Sequence, residues 1–216
     1  MNKNLTELVF ILDRSGSMSG LERDTIGGFN AMLEKQKQEP GKALVSTVLF
    51  DHETTVIHDR VELDKVEPLT GEEYFVRGST ALLDALGGAI HHIGNVHRYA
   101  REEDRPGKTL FVITTDGMEN SGRFYTRRKV KEMVKLEQEK YGWEFLFLGA
   151  NMDAISAAED YGIGADHAVR YQCDGVGTGL NFDVLSEAVV SVRGGKTLDK
   201  TWKRRIEEDY KQRGKQ

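Results

Sequence analysis

The stretch LVFILDRSGSMSG, residues 8–20, decides how the rest of the chain is read. Five apolar residues, Leu8–Leu12, stop at Asp13. Ser15 and Ser17 follow at alternate positions, with Gly16 between them and Gly20 closing the segment. A short continuous apolar run bounded by turn residues marks a strand buried on both faces. Side chains two apart in extended backbone point to one side. The end of this strand therefore offers one carboxylate and two hydroxyls in a single direction.

Outward from it, strand-like and helical patterns alternate. Leu21–Lys37 has apolar residues at Ile26, Phe29, Met32 and Leu33, which is helical spacing. Ala43–Phe50 and Thr54–Leu63 are strands separated only by DHE, which fits a hairpin with an edge strand. Thr80 to about Tyr99 reads as a long helix, and TLFVITT (109–115) as the second very hydrophobic strand. Tyr125–Tyr141 is a charged amphipathic helix and WEFLFLGA (143–150) a strand. MDAISAAEDYG reads as a short helix with Gly162 as its cap, and HAVRYQ as a sixth strand. Phe182–Val192 and Leu198–Gln212 are closing helices, with DGVGTG (174–179) a loop before them. This order predicts an α/β fold: a Rossmann-like, doubly wound, mostly parallel six-stranded sheet, one antiparallel edge strand, helices on both faces.

Length and composition fit that reading. A chain of 216 residues, 38% hydrophobic and 30% charged, suits one ordinary domain, whose folding buries roughly 70% of its unfolded surface without metal or disulfide staples. The net charge of −5 argues against a nucleic-acid partner, which calls for a basic stripe. From Lys196 onward eight Lys/Arg face four Asp/Glu, leaving −9 for the rest. The expected organisation is a domain over 1–195 and a helical extension over 196–216 that packs on or trails it. The single cysteine, Cys173, can form no internal disulfide and suits a reducing compartment. Leu8–Leu12 is too short for a signal core, and no segment approaches the ~20 apolar residues of a membrane span. The expectation is a cytoplasmic protein with no membrane partner.

Ligands of open parallel sheets bind at the carboxyl ends of strands, where strand order reverses. Asp13, Ser15 and Ser17 end the first strand, and Asp116 of TTDGMEN follows the 109–115 strand. Thr80 of RGSTALLDAL stands just before a helix. Together these five supply two carboxylates and three hydroxyls, all oxygen, which suits a hard divalent cation, Mg²⁺ ahead of Mn²⁺ or Ca²⁺. Neutral hydroxyls leave such a cation poorly neutralised and open to an external carboxylate.

DRSGSM resembles the Asp-x-Ser-x-Ser element of the metal-ion-dependent adhesion site of von Willebrand factor type A domains, the family that includes integrin inserted domains. GSTALLDAL resembles that family's threonine loop and TTDGMEN its Thr-Asp-Gly segment, in the family's order, over roughly residues 5–170. The resemblance implies Ser15 and Ser17 as direct ligands and Thr80 as a ligand directly or through water. It implies that Asp13 and Asp116 hold metal-bound waters or shift into contact, and that an Asp or Glu of a protein partner fills the sixth position. Intracellular members of the family act as assembly or scaffold factors, so the expected function is a metal-dependent adaptor and not an enzyme.

The alternative is a metal-dependent phosphoester hydrolase resembling haloacid-dehalogenase-like phosphatases, with Asp13 as nucleophile and Asp116 as a metal ligand. Those enzymes carry a second Asp where Ser15 stands, and a serine is no general acid at neutral pH. VRGGKT (192–197) lacks the leading glycine of a phosphate loop, since position 190 is valine, and GVGTG (175–179) is not a dinucleotide fingerprint. His91, His92 and His97 lack a shared helical face and are expected at the surface. Asp84, Glu119 and Asn120 are expected as solvated residues near the site, and Cys173 as a plain small side chain.

Overall fold

The computed structural model describes residues 1–150 and 153–213. The first strand, β1 (Asn2–Asp13), is longer than its apolar run, because Asn2 already pairs with Pro106 and Leu5 with Lys42 on the two neighbouring strands. It is followed by α1 (Glu22–Lys37), β2 (Lys42–Phe50) and β3 (Thr54–Glu62). Then come α2 (Leu82–Tyr99), β4 (Pro106–Thr115), α3 (Arg127–Tyr141), β5 (Glu144–Gly149) and α4 (Ala154–Asp160). The chain closes with β6 (Ala168–Arg170), α5 (Gly175–Arg193) and α6 (Arg204–Arg213). The sheet order is β3-β2-β1-β4-β5-β6; only β2 and β3 pair antiparallel. The predicted doubly wound sheet with one antiparallel edge strand is the one observed.

The alternation within β1 sets the two layers. Leu8, Phe10 and Leu12 pack in one core with α1, α5 and α6, while Val9 and Ile11 pack in the other with α2, α3 and α4. The chain leaves β1 toward β2 on one side and later inserts β4 on the other. The crevice of the reversal thus lies above the ends of β1 and β4, next to Asp13 and Asp116.

Three expectations are corrected. DGVGTG is not a loop: Asp174 caps α5 by accepting a bond from Gly177 N at 2.8 Å, and the helix starts at Gly175. The glycines reflect crowding there, since a Cβ on Gly177 would sit 2.0 Å from the Gln172 carbonyl oxygen. The same segment also follows a strand and opens a helix, a placement not expected of it. His97 is not a surface histidine but is buried, with Nε2 3.1 Å from Oε2 of the fully buried Glu7, which also accepts from Arg60 Nε at 2.9 Å. Leu198–Gln212 is not one helix: Asp199 caps a 3-10 turn, Lys200–Lys203, before α6 begins.

Gly162 does follow α4 with φ +89, and Asp153 caps that helix; Met152, in the predicted helix, lies outside the described residues. Leu198 and Ile206 join the core under α5, and buried Lys203 Nζ donates to the carbonyls of Ala165 and Ala168. Residues 214–216 of the expected extension lie outside the described residues. Among the described residues no helix is long and apolar enough to cross a membrane.

Candidate metal centre

Asp13 ends β1 and is buried with Ser15, Thr80 and Asp116. Asp13 Oδ1 accepts from Ser15 N at 2.7 Å, and Oδ2 accepts from Thr115 Oγ1 at 2.6 Å. The chain then folds into a 3-10 turn, Gly16–Met18. Ser15 and Ser17 converge through this turn, with Oγ atoms 3.1 Å apart, and not through the extended backbone that the two-residue spacing suggested. Ser17 Oγ donates to Asp116 Oδ1 at 2.5 Å. A Cβ on Gly117 would lie 3.3 Å from Thr80 Oγ1 and 3.5 Å from Ser17 Oγ, so glycine keeps this space open and the threonine faces the same spot. The structure thus links Ser15, Ser17 and Asp116 directly, sets Thr80 against the same space, and ties Asp13 to them through Ser15 N and Thr115.

The surrounding loops are fixed by residues expected to be solvated. Asn120 Oδ1 accepts from Thr80 N at 2.8 Å, while Asn120 N and Ser121 N donate to the Thr80 carbonyl. Glu119 accepts from Leu83 N at 2.7 Å and so caps α2 from a distant loop, because Ala81 at the helix start has no side-chain acceptor. Asp84 accepts from the backbone N–H groups of Arg123, Phe124 and Tyr125 at 2.7–2.9 Å. An acidic residue in the first turn of one helix thereby ties down the loop after Asp116. Tyr74 O–H donates to the Asp13 carbonyl at 2.5 Å from below. Cys173 is not merely a small side chain, since its Sγ lies 3.9 Å from Asp116 Oδ2.

Among the described residues no cationic side chain bonds to the Asp13 or Asp116 carboxylate. Burial pushes Asp13 up to about 6, although Thr115 and Ser15 hydrogen bonds oppose the shift. Burial likewise raises Asp116. Arg14 lies between Asp13 and Ser15, but its guanidinium turns away to Asp51, Glu73 and Thr55. Two buried carboxylates without a cationic partner among the described residues, with the Ser15, Ser17 and Thr80 hydroxyls in the same neighbourhood, form a donor set that fits a hard divalent ion. A second group with ligand-like spacing, Asp51, His52 and Glu53, fits an ion less well, because both Asp51 oxygens are already occupied by Arg14, Arg77, His52 and the Glu53 N–H.

No protein-family model and no curated protein matches the chain. Solved structures do. Proximal thread matrix protein 1 from the mussel byssus, solved with a zinc-occupied MIDAS motif, is 15% identical with a TM-score of 0.60, over 86% of this chain and 46% of that one. A von Willebrand factor type A protein from Catenulispora acidiphila is 14% identical with a TM-score of 0.57, over 84% and 42%. The pilus adhesin SpaC from Lactobacillus rhamnosus GG is 10% identical with a TM-score of 0.63, over 86% and 30%. The chain spans less than half the length of each. The likeness gives the fold: the chain folds as a von Willebrand factor type A domain.

Proposed function

We propose that this von Willebrand factor type A fold serves as a divalent-cation-dependent protein-binding module, an adaptor and not an enzyme. Asp13, Ser15, Ser17, Thr80 and Asp116 would hold the cation, Mg²⁺ first and Mn²⁺ or Ca²⁺ as substitutes. When bound, the ion would supply a Lewis-acidic position for an Asp or Glu carboxylate of the partner. The observation that carries this reading is that Ser17 Oγ lies 3.1 Å from Ser15 Oγ and 2.5 Å from Asp116 Oδ1, which joins the loops that end β1 and β4.

Three features support the non-catalytic reading. Ser15 stands where a phosphoester hydrolase of the haloacid-dehalogenase type needs a general acid. Its hydroxyl faces Ser17, and the Asp13 carboxylate is already engaged by Thr115 and the Ser15 N–H. The net charge of −5 supports a protein without a nucleic-acid partner, the lone cysteine suits the cytoplasm, and no described helix is long and apolar enough to cross a membrane. Residues 1–195 would form the binding domain and 196–216 an extension that braces α5. The test is a pull-down from the native host with Mg²⁺ or with chelator, using the intact protein and Asp116→Ala. A partner released by chelator and lost in the variant is expected. A partner that survives both would place the contact elsewhere, and metal-dependent phosphatase turnover abolished by Asp13→Asn would favour the hydrolase.

A further inference from the structure

We propose that Asp51 is a positioning residue for this centre: it ties the loop carrying Ser15 to the loop carrying Thr80 and neutralises the arginines those loops bring with them. The inference rests on the reading of the five oxygen-bearing residues as a cation site.

Asp51 follows β2 directly and is fully buried. Its Oδ2 accepts from Arg14 Nε and Arg77 Nε, each at 2.9 Å. Its Oδ1 accepts from Glu53 N at 2.8 Å and lies 2.9 Å from His52 Nδ1. The main chain repeats the same links. The Asp51 carbonyl accepts from Ala81 N at 2.7 Å, Arg77 N donates to the Arg14 carbonyl at 3.0 Å, and Gly16 N donates to the Gly78 carbonyl at 3.1 Å. Arg14 neighbours Asp13 and Ser15, and Ala81 neighbours Thr80, so Asp51 reaches both halves of the site one residue from the oxygens themselves.

The charge argument is separate from the tether. Arg14 is buried, so solvent screens its charge poorly. Its remaining donors reach Glu73 O and Thr55 Oγ1 at 2.8 Å, which aims the guanidinium away from the centre, and the Phe75 ring lies 5.2 Å from it and 5.4 Å from that of Arg77. Asp51 is the carboxylate that both guanidiniums share. Arg77 also pairs with Glu53 Oε2 at 2.9 Å, whereas the other partners of Arg14 are neutral. Without the Asp51 charge, a buried and uncompensated Arg14 and a half-compensated Arg77 would stand beside a site that must accept a divalent cation.

The test uses the full chain and Mn²⁺ as the probe, with free Mn²⁺ followed by electron paramagnetic resonance. Asp51→Asn keeps the side chain's size and is expected to weaken Mn²⁺ binding at least tenfold. Adding Arg77→Gln to it is expected to recover several-fold of that loss, because one of the two positive charges beside the centre is gone and Glu53 is left without its cation. A purely structural role predicts the opposite, since the double variant has lost more contacts. Arg77→Gln alone, at a half-exposed position, is expected to fold and to bind Mn²⁺ tighter than the unaltered protein, which keeps the proposal testable if Asp51→Asn fails to fold. Binding by Asp51→Asn within twofold of the unaltered protein, or weaker binding in Arg77→Gln, would overturn it. Failure of the unaltered protein to bind Mn²⁺ would instead remove the cation site and this inference with it.

Discussion

Ser17 Oγ donates a 2.5 Å hydrogen bond to Asp116 Oδ1, across 99 residues of chain. The bond closes the circle of loops above β1 and β4, and it uses the atoms that a cation would bind. The bond spends the hydroxyl's proton and not its oxygen lone pairs, so Ser17 can donate to Asp116 and still offer its oxygen to a cation.

Substitutions at this pair should separate ion binding from folding. Asp116→Ala is expected to abolish Mn²⁺ binding in calorimetry, while Ser17→Ala, which removes one neutral ligand, should weaken it about tenfold. Both should keep the native circular-dichroism spectrum, because Asp13 and Thr115 still join the two strand ends. Loss of the folded state in both variants would show that the cluster exists only to cap and turn the chain.

Without metal, Asp13 should make the protein less stable as pH rises. Its folded value of about 6 stands above the ordinary 3.8, so the fold favours the protonated carboxyl. Stability from this group is full below about pH 3.8 and is lost as pH rises through about 6, a loss of up to about 3 kcal/mol. Asp13→Asn keeps the acceptor for Ser15 N and removes the charge. In chelator at pH 7.5 it should melt higher by several degrees, at about 2–4 °C per kcal/mol, and show no gain at pH 4. A lower melting point at pH 7.5 would mean that the fold itself needs the carboxylate.

The isolated protein should hold its ion weakly. Three of the five oxygens are neutral hydroxyls, and a cation left partly unneutralised is held with a dissociation constant of about 10⁻⁵ M or weaker in the absence of a partner. Calorimetric titration with Mg²⁺ and Mn²⁺ checks this. Sub-micromolar binding of either would mean a closed, structural site with no position left for a partner's carboxylate.

The sequence disclosed the sheet, and pointed to five oxygen-bearing residues at its strand ends, because both readings follow local rules. Short continuous apolar runs bounded by turn residues build buried strands, and ligands gather where such strands end. What it hid are links between distant residues that no local pattern marks. Arg14 and Asp51 are 37 residues apart, and neither stands out in its own segment. Glu119 and Asp84 look like solvated acids, yet each satisfies backbone N–H groups of another loop. DGVGTG looks like a loop because glycine has poor helix propensity, but close approach of Gln172 and Asp24 requires glycine in the first turn of α5. His97 pairs with Glu7 from 90 residues away, so neither its neighbours nor its helical spacing could signal its burial.

Gly78 should report how tightly the threonine loop must be held. Its φ of +65 is one that L side chains rarely adopt, and an added Cβ would meet His52 Nδ1 at 2.1 Å. Its carbonyl also receives the Gly16 N–H, so any shift passes directly to the turn carrying Ser15 and Ser17. Gly78→Ala is expected to lower stability by about 1–2 kcal/mol through the left-handed backbone alone, and to weaken Mn²⁺ binding at least fivefold. Adding His52→Ala should remove the clash but not the backbone strain, so Mn²⁺ affinity should recover more than stability does. Denaturant unfolding and Mn²⁺ titration on the two variants measure the two effects separately. Unchanged Mn²⁺ affinity in Gly78→Ala, despite lower stability, would show that the threonine loop does not need this anchor to serve the centre.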